Sequence, residues 1–285
     1  MKGTNEFERD SNPRLVITSQ GRYHMGQHDP IVFRVLQHHI SGLKVTHEWQ
    51  RQGTVTLSYQ VKMETEQEDF EQFVLSGQDQ EEIHNLIREA YLDREPLCVG
   101  LHITFEDFLP FLKKALPPTL ESKVSLGVRK ESDGKLVAFM LNRILLPKDH
   151  QELFGRGGFE TEKANQYTRV LHDLCADVDI LRGGRFEKQL ELQCVCVHPD
   201  YSGRGLAMKL IQKSETKGRA LGCDVATIQA VSAITEHMAK KMGYTTVKKT
   251  DVKTLMDVSG NPLLDLDAVA EGTGTTHFTY FMKKL

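Results

Sequence analysis

The sequence predicts an α/β protein, a mixed sheet with helices on its faces. Three observations carry this. From Phe70 onward, stretches rich in β-formers alternate with stretches of helical period. One pair of neighbouring strands is joined at Asp133-Gly134, a hairpin turn, so the sheet is not wholly parallel. The stretch "HPDYSGRGLAMKLI", His198 to Ile211, passes from a strand through two glycines into a helix, a unit of layered α/β proteins.

Residues 1–60 read as an N-terminal extension, ordered only in part, and 70–285 as the folded domain. In the extension, "IVFRVLQHHI" is apolar but continues no period, and "TVTLSYQVKM" (54–63) has the composition of a strand. The acidic "ETEQED" (64–69) reads as a linker. "FEQFVLS" from Phe70 is a strand. "GQDQEEIHNLIREAYLD" is a helix with Ile83, Leu86, Ile87, Ala90 and Tyr91 on one face, ended by "REPL" because Pro96 disfavours helical backbone before it. "FEDFLPFLKKAL" is a second helical segment, interrupted at Pro110. "VSLGVRKESDGKLVAFMLNRIL" (124–145) is the hairpin, and "TEKANQYTRVLHDLCADVDIL" (161–181) a third helix. "QLELQCVCV" (189–197) is a strand feeding the glycine turn. The following helix has Ala207, Leu210, Ile211, Ser214, Gly218 and Leu221 on one face and stops at Gly222. "CDVATIQA" (223–230) is a strand. "SAITEHMAKKMGY" (232–244) is a helix with Ser232 as N-cap and Gly243 as stop, and "THFTYFMKKL" closes the chain as a strand.

The 285 residues carry a net charge of −3, which speaks against a nucleic-acid binder. No apolar run approaches the roughly 18 residues of a membrane-spanning helix. The first residues, "MKGTNEFERDSNPRL", lack the apolar core of a secretory signal and carry acids that a transit peptide avoids. Five cysteines at Cys98, Cys175, Cys194, Cys196 and Cys223 fit no zinc spacing and read as reduced thiols of a cytoplasmic protein. The histidines at His24, His28, His38, His39 and His47 have no Glu or Cys at metal-ligand spacing, so no metal is expected. A monomer acting on small molecules, without nucleic-acid or membrane partners, is the expected state.

The glycine turn has two readings. The helix that follows leaves unpaired N–H groups at its start, and its dipole adds positive potential there. Gly203 and Gly205 would let a phosphate approach with no Cβ in the way, and Arg204 adds charge. The plainer reading is a tight strand-to-helix turn. The turn is neither a Walker loop nor a dinucleotide fingerprint, since GK[ST] and a third glycine are both absent.

"VCVHPDYSGRGLA" resembles the acetyl-CoA signature of the GCN5-related N-acetyltransferase superfamily, a strand followed by Arg/Gln-x-x-Gly-x-Gly/Ala. Gly205 and Ala207 match its last two positions, while Ser202 stands where Arg or Gln is usual. "ITEHMAKKMGY" resembles the superfamily's next helix, with Ala239 in place of its frequent tyrosine acid. The likeness spans about residues 70–285. It implies a mostly antiparallel central sheet, splayed at the acetyl-CoA site, with helices on both faces. It also implies acetyl-CoA as co-substrate. Val195, Cys196 and Val197 would follow the pantetheine arm, Gly203 through Met208 (with Arg204, Leu206 and Ala207 between) would hold the pyrophosphate, and Ser232 would close the site.

"AYLDREPL" (90–97), "VSAIT" (231–235) and the C-terminal strand are similar to the insect-type arylalkylamine N-acetyltransferases. That resemblance implies Glu95 as catalytic base and hydroxyls of Ser232 and Thr235 in the CoA and catalytic region. An alkyl amine, with a pKa of about 10.4, must lose a proton before it can attack, and a carboxylate in a dry cleft can take it. Glu191 is a rival base. By period two, Glu191, Gln193, Val195 and Val197 share one face of their strand, so Glu191 would point into the thioester cleft. Cys194 and Cys196 fall on the other face and read as core thiols. Phe105, Phe108 and Phe111 are candidates for an aromatic pocket. The acceptor expected is serotonin, dopamine, tyramine or octopamine. The alternatives are a polyamine or protein lysine as acceptor, or an acyl-CoA-binding module without catalysis.

Overall fold

The computed structural model of the chain describes residues 15–18, 58–61 and 69–285, apart from 148, 150–157, 176, 179 and 182–184. The chain divides into two units, residues 1–68 and 69–285. In the first, β1 (Leu15–Thr18) pairs antiparallel with β2 (Ser58–Val61), Leu15 opposite Val61. β2 lies within the expected strand 54–63. β1, the β-branched run "LVIT", is a strand that periodicity over so short a stretch does not reveal.

The second unit is built on a sheet in the order β3-β4-β5-β6-β7-β9-β8. Its strands are β3 (Phe70–Val74), β4 (Leu126–Lys130), β5 (Leu136–Leu145), β6 (Gln189–Val197), β7 (Val225–Ala230), β8 (Thr245–Asp251) and β9 (His277–Lys284). Only β6 and β7 pair in parallel. The helices are α1 (Gln80–Ala90), α2 (Pro96–Gly100), α3 (Phe105–Glu121), α4 (Glu162–Cys175), α5 (Leu206–Ala220), α6 (Ala233–Lys241) and α7 (Leu266–Thr273). Two hydrophobic cores flank the sheet. One gathers the apolar stripes of α1 to α4 with Val269 of α7. The other packs Leu206, Leu210 and Ile211 of α5 and Ala239 of α6 against Leu190, Leu192 and Ile228. Among the described residues no helix is long and apolar enough to cross a membrane.

Several expected boundaries move. The first helix opens with a 3-10 turn at Gly77–Asp79, capped by Ser76, and ends at Ala90. α3 is not interrupted at Pro110; it runs unbroken for 17 residues through Pro110, Pro117 and Pro118. Pro110 forfeits only the bond to the carbonyl of exposed Glu106, and both later prolines lie on the exposed face. Thr104 and Asp107 brace the start of α3 with a reciprocal capping box. β8 and α7 were not foreseen, because "TTVKKTD" is an edge strand whose charged residues hide its period.

The sheet opens at its middle. β6 and β7 pair only from Gln189–Val225 to Leu192–Ile228. Beyond that, β6 continues to Val197 paired with β5 alone, and β7 continues to Ala230 paired with β9. A bulge accompanies the parting: Leu141 faces Cys194 and Asn142 faces Leu192, so Gln193 is the extra residue. Buried Asn142 pins this point, donating through Nδ2 to Ser214 Oγ of α5 at 2.8 Å and to the Val124 carbonyl at 2.9 Å.

Candidate active site

β6 delivers the chain to the glycine turn. Gly203 and Gly205 both have φ of +76°, the left-handed region that glycine adopts without cost. Gly205 is the N-cap of α5, whose first bond runs from the Lys209 N–H to the Gly205 carbonyl at 3.0 Å. The N–H groups of Leu206, Ala207 and Met208 therefore precede the helical ladder, at the positive end of the dipole. A Cβ built on either glycine would meet no atom within 4 Å, so the space over the turn is open. This open, amide-lined turn fits a pyrophosphate. Arg204 stands between the two glycines. Its guanidinium packs over the rings of Tyr201 at 5.2 Å and Phe70 at 5.9 Å, and it donates to the Asp200 carbonyl.

A cleft of about 670 Å³ runs from this turn along the parted strands. One wall is Val195, Cys196 and Val197; the other is Val231, Ser232 and Thr235. The β6 edge unpaired by β7 fits an extended arm carrying amides of its own. Arg94 also lines the cleft, donating from Nη1 to the Val197 carbonyl at 3.2 Å. The sequence gives no sign of this role, since a contact across 103 residues leaves no local signal.

Glu95 lies on the same cleft and is 6% exposed. It is the N-cap of α2, with Pro96 following, and its Oε2 accepts the Cys98 N–H at 2.6 Å. Oε1 is buried with no hydrogen-bond partner. Burial pushes the carboxyl up to about 7, against the opposing pull of the hydrogen bonds from Cys98 and Leu97. On the same cleft, Ser232 caps α6, accepting the Thr235 N–H at 3.1 Å, and the two hydroxyls touch at 2.9 Å.

Glu191 is elsewhere. The extra residue at Gln193 breaks the period-two pattern, so Val195 and Val197 share a face with Leu190 and Leu192. Glu191 falls on the opposite face, the one that carries Cys194 and Cys196. Its Oε2 accepts from Arg143 Nη2 at 3.0 Å, across the β5–β6 pair, and from Gln193 Nε2 at 3.1 Å. It lines a second, smaller cavity of about 60 Å³ with Tyr91, Phe108, Phe111 and Tyr167. Tyr91, Gln193, Cys194 and Gln229 line both spaces, so the cavity adjoins the cleft. Phe105 is apart, beneath the Arg88 guanidinium at 3.9 Å.

Burial pushes the Cys194 thiol up to about 12 and raises those of Cys98 and Cys196 well above their ordinary value. Such thiols are poor nucleophiles. The histidines at 24–47 lie outside the described residues.

The chain matches the model of the Acetyltransferase (GNAT) family over residues 81–244. No curated protein sequence matches it. Among solved structures, the mosquito arylalkylamine N-acetyltransferase like 5b aligns with a TM-score of 0.67 at 17% identity, over 76% of this chain and 100% of its own. Arylalkylamine N-acetyltransferase 2 from Aedes aegypti aligns at 0.65 and 18%, over 76% and 99%. The polyamine N-acetyltransferase of Drosophila melanogaster aligns at 0.61 and 17%, over 76% and 100%. At these identities the likeness is one of fold.

Proposed function

The chain belongs to the acetyltransferase (GNAT) family and is an acetyl-CoA-dependent N-acetyltransferase, and from that premise we propose the acceptor and the base. The acceptor is the primary amine of a small arylalkylamine, such as serotonin, dopamine, tyramine or octopamine, attacking directly in a ternary complex. Glu95 is the general base. The acetyltransferase domain is residues 70–285, and 1–60 are an extension to it.

The observation that carries the reading is the Glu95 carboxyl, buried on the cleft wall with Oε1 unpartnered and its pKa pushed up to about 7. An alkylammonium with a pKa of about 10.4 costs about 4 to 5 kcal/mol to neutralise at pH 7. A base poised near the working pH, on the cleft wall and with one oxygen unpartnered, is suited to accept that proton. Acetyl-CoA, when bound, supplies a thioester carbonyl open to attack by the neutral amine. Gly203, Gly205 and the N–H groups of Leu206, Ala207 and Met208 would hold its pyrophosphate, and the edge at Val195, Cys196 and Val197 its arm. That edge also offers a backbone donor for charge developing on oxygen. Ser232 and Thr235, in mutual contact at the cleft, would return a proton to the departing thiolate. Direct transfer is supported by the buried, high-pKa cysteines, which are unsuited to a covalent acyl-enzyme.

Tyr91, which lines the cleft and is backed by the Phe108 and Tyr167 rings, supports an arylalkylamine over a polyamine or a protein lysine. Free cysteines at Cys98, Cys175, Cys194, Cys196 and Cys223 support a reducing, cytoplasmic setting, and the reading needs only one copy of the chain. An acetylation assay over arylalkylamines, polyamines and lysine peptides tests the acceptor. Preferential turnover of arylalkylamines is expected; turnover confined to polyamines or peptides would overturn the assignment.

A further inference from the structure

The small cavity beside the cleft has a division of labour in its lining. Its walls are aromatic and apolar, and its polar capacity is mostly committed. The Thr119 hydroxyl donates to the Ala115 carbonyl at 2.8 Å. Gln229 donates from Nε2 to the Leu171 carbonyl and Cys175 Sγ. Gln193 donates to Glu191. The hydrogen bonds that Glu191 accepts land on Oε2, from Arg143 and Gln193. Its Oε1 accepts none of the hydrogen bonds found among the described residues, and so has lone pairs for a donor from a ligand.

Size decides what can enter. A cavity that takes a benzene ring is roughly 150 Å³, and a water occupies about 30 Å³. At about 60 Å³, this cavity admits a hydroxyl-sized end group while the ring stays in the larger cleft. Charge decides further. The Arg143 guanidinium, 3.0 Å from Glu191, already balances the carboxylate, so a neutral donor suits the site better than a second ammonium.

We propose that Glu191 is a specificity-determining residue, which accepts a hydrogen bond from a hydroxyl at the far end of the acceptor and so selects phenolic arylalkylamines over unsubstituted ones. This rests on the arylalkylamine reading above. A site built to bond a substrate hydroxyl discriminates strongly against the analogue that lacks it.

The test compares kcat/KM for tyramine, phenethylamine and 1,5-diaminopentane in the full-length wild type, Glu191→Leu and Glu191→Gln, with acetyl-CoA affinity as a check on the cleft. Tyramine should exceed phenethylamine by about 10-fold or more in the wild type. That ratio should collapse towards one in Glu191→Leu and fall in Glu191→Gln, with acetyl-CoA affinity unmoved. Glu191→Gln keeps the volume and an oxygen for Arg143, so it carries the test should the leucine variant fail to fold. An unchanged ratio in either folded variant overturns the proposal. So does an equal loss on both arylalkylamines, which would put Glu191 in the chemistry. A wild type that prefers the diamine, with that preference lost in Glu191→Gln, would make the site one for a second cation. Failure of the wild type to acetylate any arylalkylamine would instead reject the acceptor class itself, and this proposal with it.

Discussion

Glu95 accepts the Cys98 N–H through Oε2 at 2.6 Å and leaves Oε1 buried without a partner. One oxygen caps a helix and fixes the side chain; the other is kept dry and free. A carboxylate used only as a cap gains nothing from an orphaned oxygen, since an unsatisfied buried acceptor costs free energy. The arrangement supports the proposed base: one oxygen orients the group and the other is left without a partner.

Glu95→Gln should therefore lower turnover of an amine by about 10²-fold or more, in line with general-base catalysis. Acetyl-CoA affinity should barely move, because the glycine turn is untouched. In the wild type, turnover should rise with pH through about 7 as the carboxyl ionises, and steady-state rates should lose that limb in the variant. A mild effect, with the limb retained, would remove Glu95 from the base role.

The same group should cost stability. Its pKa of about 7 in the folded chain stands above the ordinary 4.5, so the native state binds the extra proton between those values. Its contribution is fully present below about 4.5 and is lost as pH rises through about 7. Glu95→Gln abolishes this dependence. From pH 4 to pH 8 the variant should gain about 3 kcal/mol on the wild type, read from urea unfolding at each pH. Parallel stability curves would show that Glu95 is not held in a dry environment.

Gly205→Val should weaken acetyl-CoA binding sharply in a folded protein. Part of any effect is backbone strain at φ +76°, about 1 to 2 kcal/mol for a side chain in the left-handed region. Gly222, at φ +77° beyond the far end of the same helix, supplies the control, since its Cβ position is equally open but away from the cleft. Gly222→Val should lower Tm similarly and leave calorimetric affinity for acetyl-CoA alone. Equal affinity losses in the two variants would reject the pyrophosphate assignment.

The glycine turn was legible because its message is local. Two glycines, a strand before and an amphipathic helix after are all carried within residues 189–220. Glu191 was misread because its face depends on one extra residue, Gln193, whose effect appears only once β5 is paired beside it. Period two assumes an unbroken ladder, and a bulge resets it. Arg204 packs over the rings of Tyr201 and Phe70, a contact that no spacing announces. The interruption expected at Pro110 of α3 does not occur, because a proline's cost depends on which carbonyl it leaves unbonded, and here that carbonyl belongs to an exposed residue.

Arg94 ties the turn bearing Glu95 to the end of β6 through the Val197 carbonyl. Arg94→Ala should lower kcat for the amine several-fold more than it changes the KM for acetyl-CoA, because it loosens the base rather than the cradle. Arg94→Lys should recover part of the loss, since it can reach the same carbonyl with one donor. Both variants should keep the pH limb of the wild type. A loss confined to acetyl-CoA affinity would mean that Arg94 serves the cofactor arm instead.

Ser232 and Thr235 can be separated because only one of them is a cap. Ser232 Oγ accepts the Thr235 N–H, and the Thr235 hydroxyl lies against Ser232 Oγ. Ser232→Ala removes the cap of α6 and should cost about 1 kcal/mol of stability. Thr235→Val keeps the shape and the capping bond and removes only a hydroxyl, so its Tm should stay near that of the wild type. If the hydroxyl pair delivers a proton to the departing thiolate, both variants should lose kcat, and the threonine variant should do so with its stability intact. A Thr235→Val enzyme with unchanged kcat would assign that proton to water and leave Ser232 as a cap alone.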